Sequence, residues 1–247
     1  MLCRFGLKTL SKFSLLSSSL FLVGTTVHAQ QPAVSPQPVP LSPTAKAAAI
    51  AGNIEGKALL QQAIDLVKNG QLDQAIPLFQ RASTLRYVDP TAHFFLGLVY
   101  DQKGMPQLAL ENYSLSLKRA NALGLDSAQL RINLGNTLCK LNFLKEAEFD
   151  YKRAIEIDDK NDVAHINFGR VLLFKGDNQG AFREFSRASE LMATDLNLPL
   201  YQALALKGMG NRDECKNQLQ IFLERSAGTR SDPRVINMAQ NLLTELK

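Results

Sequence analysis

The sequence predicts an all-α solenoid, in which repeated pairs of helices stack one after another. From about residue 53 onward, apolar residues recur at helical spacing, and no alternating strand pattern is longer than a few residues. The same stretch is self-similar, because segments 59–82, 93–116, 131–154 and 165–188 align without gaps. The first and last steps between successive segments are equal, and the middle step is slightly longer. Such a period is typical of a helical repeat array.

Each aligned segment carries a small residue in both of its helices. The first-helix position holds Ala63, Gly97, Gly135 and Gly169. The second-helix position holds Ala75, Ala109, Ala147 and Ala181. Small side chains are needed where two antiparallel helices cross, because a larger one would hold the backbones apart. An aromatic residue follows four positions later, and we expect it to fill the gap between its own repeat and the next; these residues are Phe79, Tyr113, Tyr151 and Phe185.

The turn inside each helix pair is also marked. Seven positions after the first small residue comes one that tolerates the left-handed conformation needed to end a helix. These residues are Gly70, Gly104, Asn142 and Gly176.

This pattern resembles the tetratricopeptide repeat family, whose unit is about 34 residues long. The resemblance implies a right-handed superhelix of about five helix-turn-helix units within residues 53–247, ending in a capping helix at 232–246. The expected units are 56–89, 90–123, 128–161, 162–195 and 196–229. The tryptophan often found early in the first helix is absent, and His93, Arg131 and His165 stand there. A four-residue insertion around 120–124 should lengthen the second helix of unit two or its loop.

The first 52 residues predict export. Residues 1–12 are basic, 13–27 are apolar or small and uncharged, and small residues flank His28 before Gln30. This succession is typical of a secretory signal peptide spanning 1–29. An uncleaved membrane anchor and an organellar transit peptide are the alternatives. Residues 30–52, which are rich in proline, predict a disordered spacer. We therefore expect a periplasmic or secreted protein with no stable membrane span after cleavage.

Charge argues against a nucleic-acid partner. The formal net charge of the 247 residues is +5, but Arg4, Lys8 and Lys12 belong to the leading segment. The remainder has 25 basic and 23 acidic residues, a net of +2, without a clustered basic stripe.

No pattern in the sequence indicates catalysis. His93 and His165 occupy equivalent repeat positions, which indicates packing and not a metal site. Cys139 and Cys215 lie in units three and five, which should keep them too far apart to form a disulfide. We expect no catalytic residue, cofactor, metal or small-molecule substrate.

The first helices line the concave groove, where the resemblance places function. The expected partner-binding residues are Phe95, Asn133, Asn136, Asn167, Arg170 and Phe174. Asn133 and Asn167 occupy one position in adjacent units, similar to the asparagine ladder of O-GlcNAc transferase, which bonds the backbone of an extended peptide. Arg170 would suit a carboxylate. The alternative is that these side chains are only solvated.

Together these features predict an exported scaffold or adaptor that binds an extended peptide or protein partner in its groove. Its setting would be an envelope assembly or secretion system. The alternative is a non-catalytic regulatory subunit of a separate envelope enzyme.

Overall fold

The computed structural model describes residues 42–85, 89–191, 194–229 and 231–246. Within these ranges the chain forms eleven α-helices and no strand, so the predicted all-α repeat fold is confirmed. The helices are α1 (Pro43–Lys68), α2 (Leu72–Leu85), α3 (Thr91–Gln102), α4 (Pro106–Ala122), α5 (Ala128–Lys140), α6 (Leu144–Ile157), α7 (Asp162–Lys175), α8 (Asn178–Glu190), α9 (Leu198–Met209), α10 (Arg212–Ser226) and α11 (Pro233–Glu245). The predicted signal peptide, residues 1–29, lies outside the described residues, as does most of the predicted spacer.

The start of α1 corrects the C-terminal limit of the predicted spacer. Residues 43–52 fall within the stretch predicted to be disordered, but they are helical. Proline is well placed at the beginning of a helix, because an N–H group at the first helical position would have no acceptor within the helix. Five of the next eight residues are alanine, which has the highest helix propensity. The proline-rich segment for which an extended chain was predicted therefore ends where α1 begins, at Pro43.

Consecutive helices pack in pairs, and the pairs follow one another along the chain. The pairs α3–α4, α5–α6, α7–α8 and α9–α10 are in contact, and each second helix contacts the first helix of the next unit. The first helices also contact one another in the order α3, α5, α7 and α9. These four helices therefore form a continuous row, called here the first-helix face. The last helix, α11, packs against α10, and Asp232 caps it through the amide of Arg234.

The turns adopt the predicted left-handed conformation. The φ angles lie between 65° and 84° at Gly70, Gly104, Asn142 and Gly176. Asparagine tolerates this region better than other residues with a side chain. The inserted residues lengthen α4, which runs to Ala122 before a short connection to α5.

Small residues of the first helices lie directly beneath the aromatic residue of their own repeat. A Cβ atom at Gly97 would stand 2.5 Å from the ring of Tyr113, and one at Gly135 would stand 2.8 Å from the ring of Tyr151. Gly169 meets Phe185 in the same way, at 2.6 Å. Ala63, which takes the same first-helix position in unit one, has no exposed surface. The same holds for the second-helix alanines, which are Ala75, Ala109, Ala147 and Ala181.

The aromatic residues also reach the following repeat. Phe79 stacks on Phe95, and Phe185 stacks on Tyr201, each pair with ring centroids 5.5 Å apart. Each of these two aromatic side chains thus joins its own helix pair to the next one.

Polar pairs replace the missing tryptophan. In three consecutive units, the side chain at that position meets a residue 19 positions later on the second helix. The pairs are His93 with Asn112 (3.1 Å), Arg131 with Asp150 (2.7 Å) and His165 with Glu184 (2.7 Å). Arg131 also donates to Asp126, in the connection that carries the insertion. The buried charge of Arg131 is therefore shared by two carboxylates.

Among the described helices, none combines the length and the apolar character that crossing a membrane requires.

Candidate functional site on the first-helix face

A chain of hydrogen bonds links α5 to α7 on the first-helix face. The Tyr151 hydroxyl donates to Oδ1 of Asn136 at 2.7 Å, and Nδ2 of Asn167 donates to the same oxygen at 3.0 Å. Arg170 then donates from Nη1 to Oδ1 of Asn167 at 3.2 Å. These bonds fix the orientation of both amides, so their remaining groups point in defined directions.

The guanidinium of Arg170 is held from two sides. It lies over the ring of Tyr201, 5.6 Å from the ring centroid, and it bonds Asn167. Within the described ranges, no carboxylate lies at ion-pair distance from this half-buried cation. An arginine has five N–H donors, and one of them bonds another described residue. Within that part of the chain the side chain is held in position without a counter-charge.

Asn133 does not join the same chain of bonds. Its Oδ1 accepts from Nε2 of Gln129 at 3.1 Å, and its Nδ2 is enclosed without an acceptor among the described residues. The contact across the units runs from Asn167 to Asn136 and not between the two equivalent asparagines. The expected ladder, in which Asn133 and Asn167 each bond the backbone of a bound peptide, stays a prediction.

The two predicted apolar anchors differ. Phe174 is 49% exposed near the end of α7, where its ring is accessible from solvent. Phe95 is half-buried, stacks on Phe79 with nearly parallel rings, and meets Phe94 edge-on. Phe95 therefore belongs in part to the packing between units one and two.

Some residues of this face were missed by sequence reasoning. Tyr151 was expected only to pack between repeats. Units one and four have phenylalanine at this position, so the hydroxyl group of Tyr151 could have indicated a polar role. Tyr201 lies in unit five, outside the four aligned segments. Asp101 accepts from Nζ of Lys140 at 2.6 Å and ties α3 to α5, which no spacing rule indicated.

The chemistry of these groups is that of recognition. Amides, a fixed guanidinium and an exposed ring can bind a peptide, but they include no nucleophile paired with a base. Among the described residues, no three His, Cys, Asp or Glu side chains are grouped so that they could hold a metal ion.

Comparison with known families agrees with the repeat assignment. Two family models described as tetratricopeptide repeat match residues 60–123 and 128–161. These two stretches carry tetratricopeptide repeats. No curated protein matches the sequence.

Solved structures extend the tetratricopeptide likeness beyond the matched residues. YrrB, described as a tetratricopeptide repeat protein with an unusual peptide-binding site, has 22% identity and a TM-score of 0.66, covering 78% of this chain and 96% of its own. PilW, described as a widely conserved type IV pilus biogenesis factor, has 17% identity and a TM-score of 0.63, covering 77% and 90%. PilF of Pseudomonas aeruginosa has the same identity and TM-score, covering 79% and 90%. At these identities the likeness concerns the fold.

Proposed function

We propose that this tetratricopeptide protein is a non-catalytic scaffold that binds an extended segment of a partner protein along the first-helix face. The observation that carries the proposal is the state of Arg170. Its guanidinium is oriented by Asn167 and Tyr201, and it has no acidic partner within the described residues. A planar fork of N–H donors in this state suits a carboxylate, which it can bind through two hydrogen bonds.

The neighbouring amides favour an extended backbone as the rest of the ligand. Nδ2 of Asn136 makes no hydrogen bond within the described residues, and the nitrogen is not enclosed. It can therefore donate to a peptide carbonyl. Phe174, one turn beyond Arg170 on α7, offers an exposed ring for an apolar side chain. The expected ligand is an extended peptide with an acidic side chain or C-terminus close to an apolar residue.

The cellular setting is part of the proposal. The pattern of residues 1–29 supports export to the periplasm or beyond, and PilW, which shares the fold, is described as a pilus biogenesis factor. We therefore place the scaffold within an envelope assembly or secretion system.

A photo-crosslinking experiment would identify the partner and map its site. A photoreactive phenylalanine analogue placed at Phe174 should capture a partner from the cell envelope. The matched control is the same analogue at Phe149, which is 63% exposed on the second helix of unit three. Equal capture at both positions, or capture only at Phe149, would contradict binding on the first-helix face.

Affinity measurements on the captured segment would then test Arg170. Arg170→Ala should weaken binding about 10- to 150-fold, since a hydrogen bond to a charged group is worth about 1.5–3 kcal/mol. Arg183→Ala, which removes an exposed arginine from α8 of the same unit, is the control and should bind like wild type. A partner that binds both variants equally well would rule out the role given to Arg170.

Export is tested by the mass of the protein recovered from its native cell. We expect a chain that begins at or near Gln30 and lies outside the cytoplasm. A soluble protein that retains its first residues would contradict export.

A further inference from the structure

Two enclosed hydrogen-bond donors on or beside the first-helix face have no acceptor within the described residues. They are the hydroxyl of Tyr113, on α4, and Nδ2 of Asn133, on α5. Tyr113 is fully buried. A donor removed from water without a partner costs free energy, so each one calls for an explanation. A third such atom, Oγ of Ser226, belongs to α10.

The next repeat shows how these donors are normally satisfied. There, the Tyr151 hydroxyl and Nδ2 of Asn167 converge on one acceptor, Oδ1 of Asn136, at 2.7 and 3.0 Å. One amide oxygen thus serves both a tyrosine of its own unit and an asparagine of the following unit.

Leu98 stands where this acceptor should be. The interval in the sequence from Leu98 to Asn136 equals the interval from Tyr113 to Tyr151. Asn133 in turn precedes Asn167 by the length of one repeat. A leucine side chain accepts no hydrogen bond. By this correspondence, a single residue difference accounts for both unsatisfied donors.

The packing around Leu98 repeats one feature of the next unit. Tyr113 lies over Gly97 as Tyr151 lies over Gly135. The ion pair of Lys140 with Asp101 joins α5, which carries Asn133, to α3, which carries Leu98. The tyrosine thus has the same place in both units, and the helix of Asn133 is tied to that of Leu98.

We infer that Tyr113 and Asn133 form a binding site for a carbonyl oxygen, beside Leu98, between α3 and α5. This inference rests on the proposed function, because the carbonyl is assigned to the backbone of the extended partner segment. Both donor atoms are closed off from solvent, so the carbonyl reaches them when the half-buried Leu98 side chain turns aside. The ligand oxygen then takes the place that Oδ1 of Asn136 occupies one repeat later.

Charge and polarity select a neutral carbonyl with an apolar neighbour. Burial, and to a lesser extent the Asp101 carboxylate, hold the pKa of Tyr113 well above its usual range, so its hydroxyl remains a donor. Asp101 is paired with Lys140 and supplies little net charge, and an anionic ligand would be disfavoured because it would lose its hydration in this enclosed place. The half-buried rings of Phe94 and Phe95 lie one turn before Leu98 on α3 and suit an apolar side chain.

The probe is N-acetyl-leucine N-methylamide, titrated into the isotope-labelled full chain. The side-chain amide signals of Asn133, identified by their absence in Asn133→Ala, should shift and saturate. Tyr113→Phe, which removes one oxygen atom and should not disturb folding, should weaken probe binding at least about threefold. Leu98→Asn supplies an internal acceptor and should abolish the response. N-acetyl-leucine, which is anionic, should bind more weakly than the probe.

Several results would overturn the inference. These are an Asn133 signal that does not respond to the probe, an unchanged affinity in Tyr113→Phe, or an undiminished response in Leu98→Asn. Arg170→Ala should leave the probe response intact, since the probe has no carboxylate. If a partner binds through Arg170 but the Asn133 amide signals do not shift with the probe, only this inference would be refuted. A probe response without an Arg170-dependent partner would refute only the proposed function.

Discussion

Replacing Gly97 by alanine would place a methyl group where the ring of Tyr113 already lies. The new Cβ would be 2.5 Å from Cδ1 and Cε1 of Tyr113, about 1 Å closer than carbon atoms normally approach. The ring is fully buried, so it can move only by displacing the side chains that pack around it. Overpacking of this kind lowers the free energy of unfolding by about 1–3 kcal/mol. The better helix propensity of alanine offsets about 1 kcal/mol of this loss. We expect a net loss of about 1 kcal/mol in the free energy of unfolding.

The same substitution at Gly52 is the matched control. Gly52 also lies inside a helix, but its Cβ would meet the nearest atoms of Leu85 at 3.8 and 3.9 Å, which is ordinary contact. Gly52→Ala should therefore stabilise the protein by about 0.5–1 kcal/mol. Urea unfolding followed by circular dichroism in the far ultraviolet would compare the two variants. If Gly97→Ala were as stable as Gly52→Ala, the explanation of the small residue by the aromatic above it would be wrong.

Three further predictions concern single side chains. Tyr151→Phe should lower the free energy of unfolding by about 0.5–1.5 kcal/mol, because it loses the hydrogen bond to the Asn136 amide. Tyr113→Phe should leave the free energy of unfolding unchanged or raise it. If urea unfolding gave equal losses for the two variants, the Tyr113 hydroxyl would have a partner. In the folded protein, alkylation followed by mass spectrometry should modify Cys139 before Cys215, since Cys215 is buried and burial raises the pKa of its thiol; early modification of Cys215 would contradict this. Arg131→Met leaves the buried Asp150 without its cation, while the half-buried Asp126 keeps Arg153 at 3.6 Å, and it should cost about 3–5 kcal/mol at pH 7. This deficit should shrink near about pH 4 as the carboxyl groups become protonated, and a deficit independent of pH would argue against the ion pair.

Much of the fold could be predicted because it depends on local chemistry repeated along the chain. Asn142 is an example: it replaces a glycine at the turn, and it takes the same left-handed conformation. The limit of the spacer was misjudged because proline content was weighed and the alanines after Pro43 were not.

The candidate site was predicted less well, because it depends on which side chains reach across from one unit to the next. The spacing placed Asn133 and Asn167 in equivalent positions, but it did not indicate that Asn167 reaches across to Asn136. Repeat position gives the direction of a side chain from its own helix. It does not give the rotamer or the identity of the residue opposite, which decide the hydrogen bond.

The polar pairs that stand in the tryptophan position also distinguish one repeat from another. If α5 packed against α4 in place of α6, Arg131 would face Asn112 and lose the carboxylate of Asp150. The buried Asp150 would then lose its cation, and Arg131 would keep only Asp126, so this exchange is penalised. Hydrophobic contacts between similar repeats carry little such discrimination, and repeat proteins are prone to misassembly between units. The salt bridge of unit three therefore favours the native pairing of α5 with α6 over this alternative pairing within an otherwise repetitive chain.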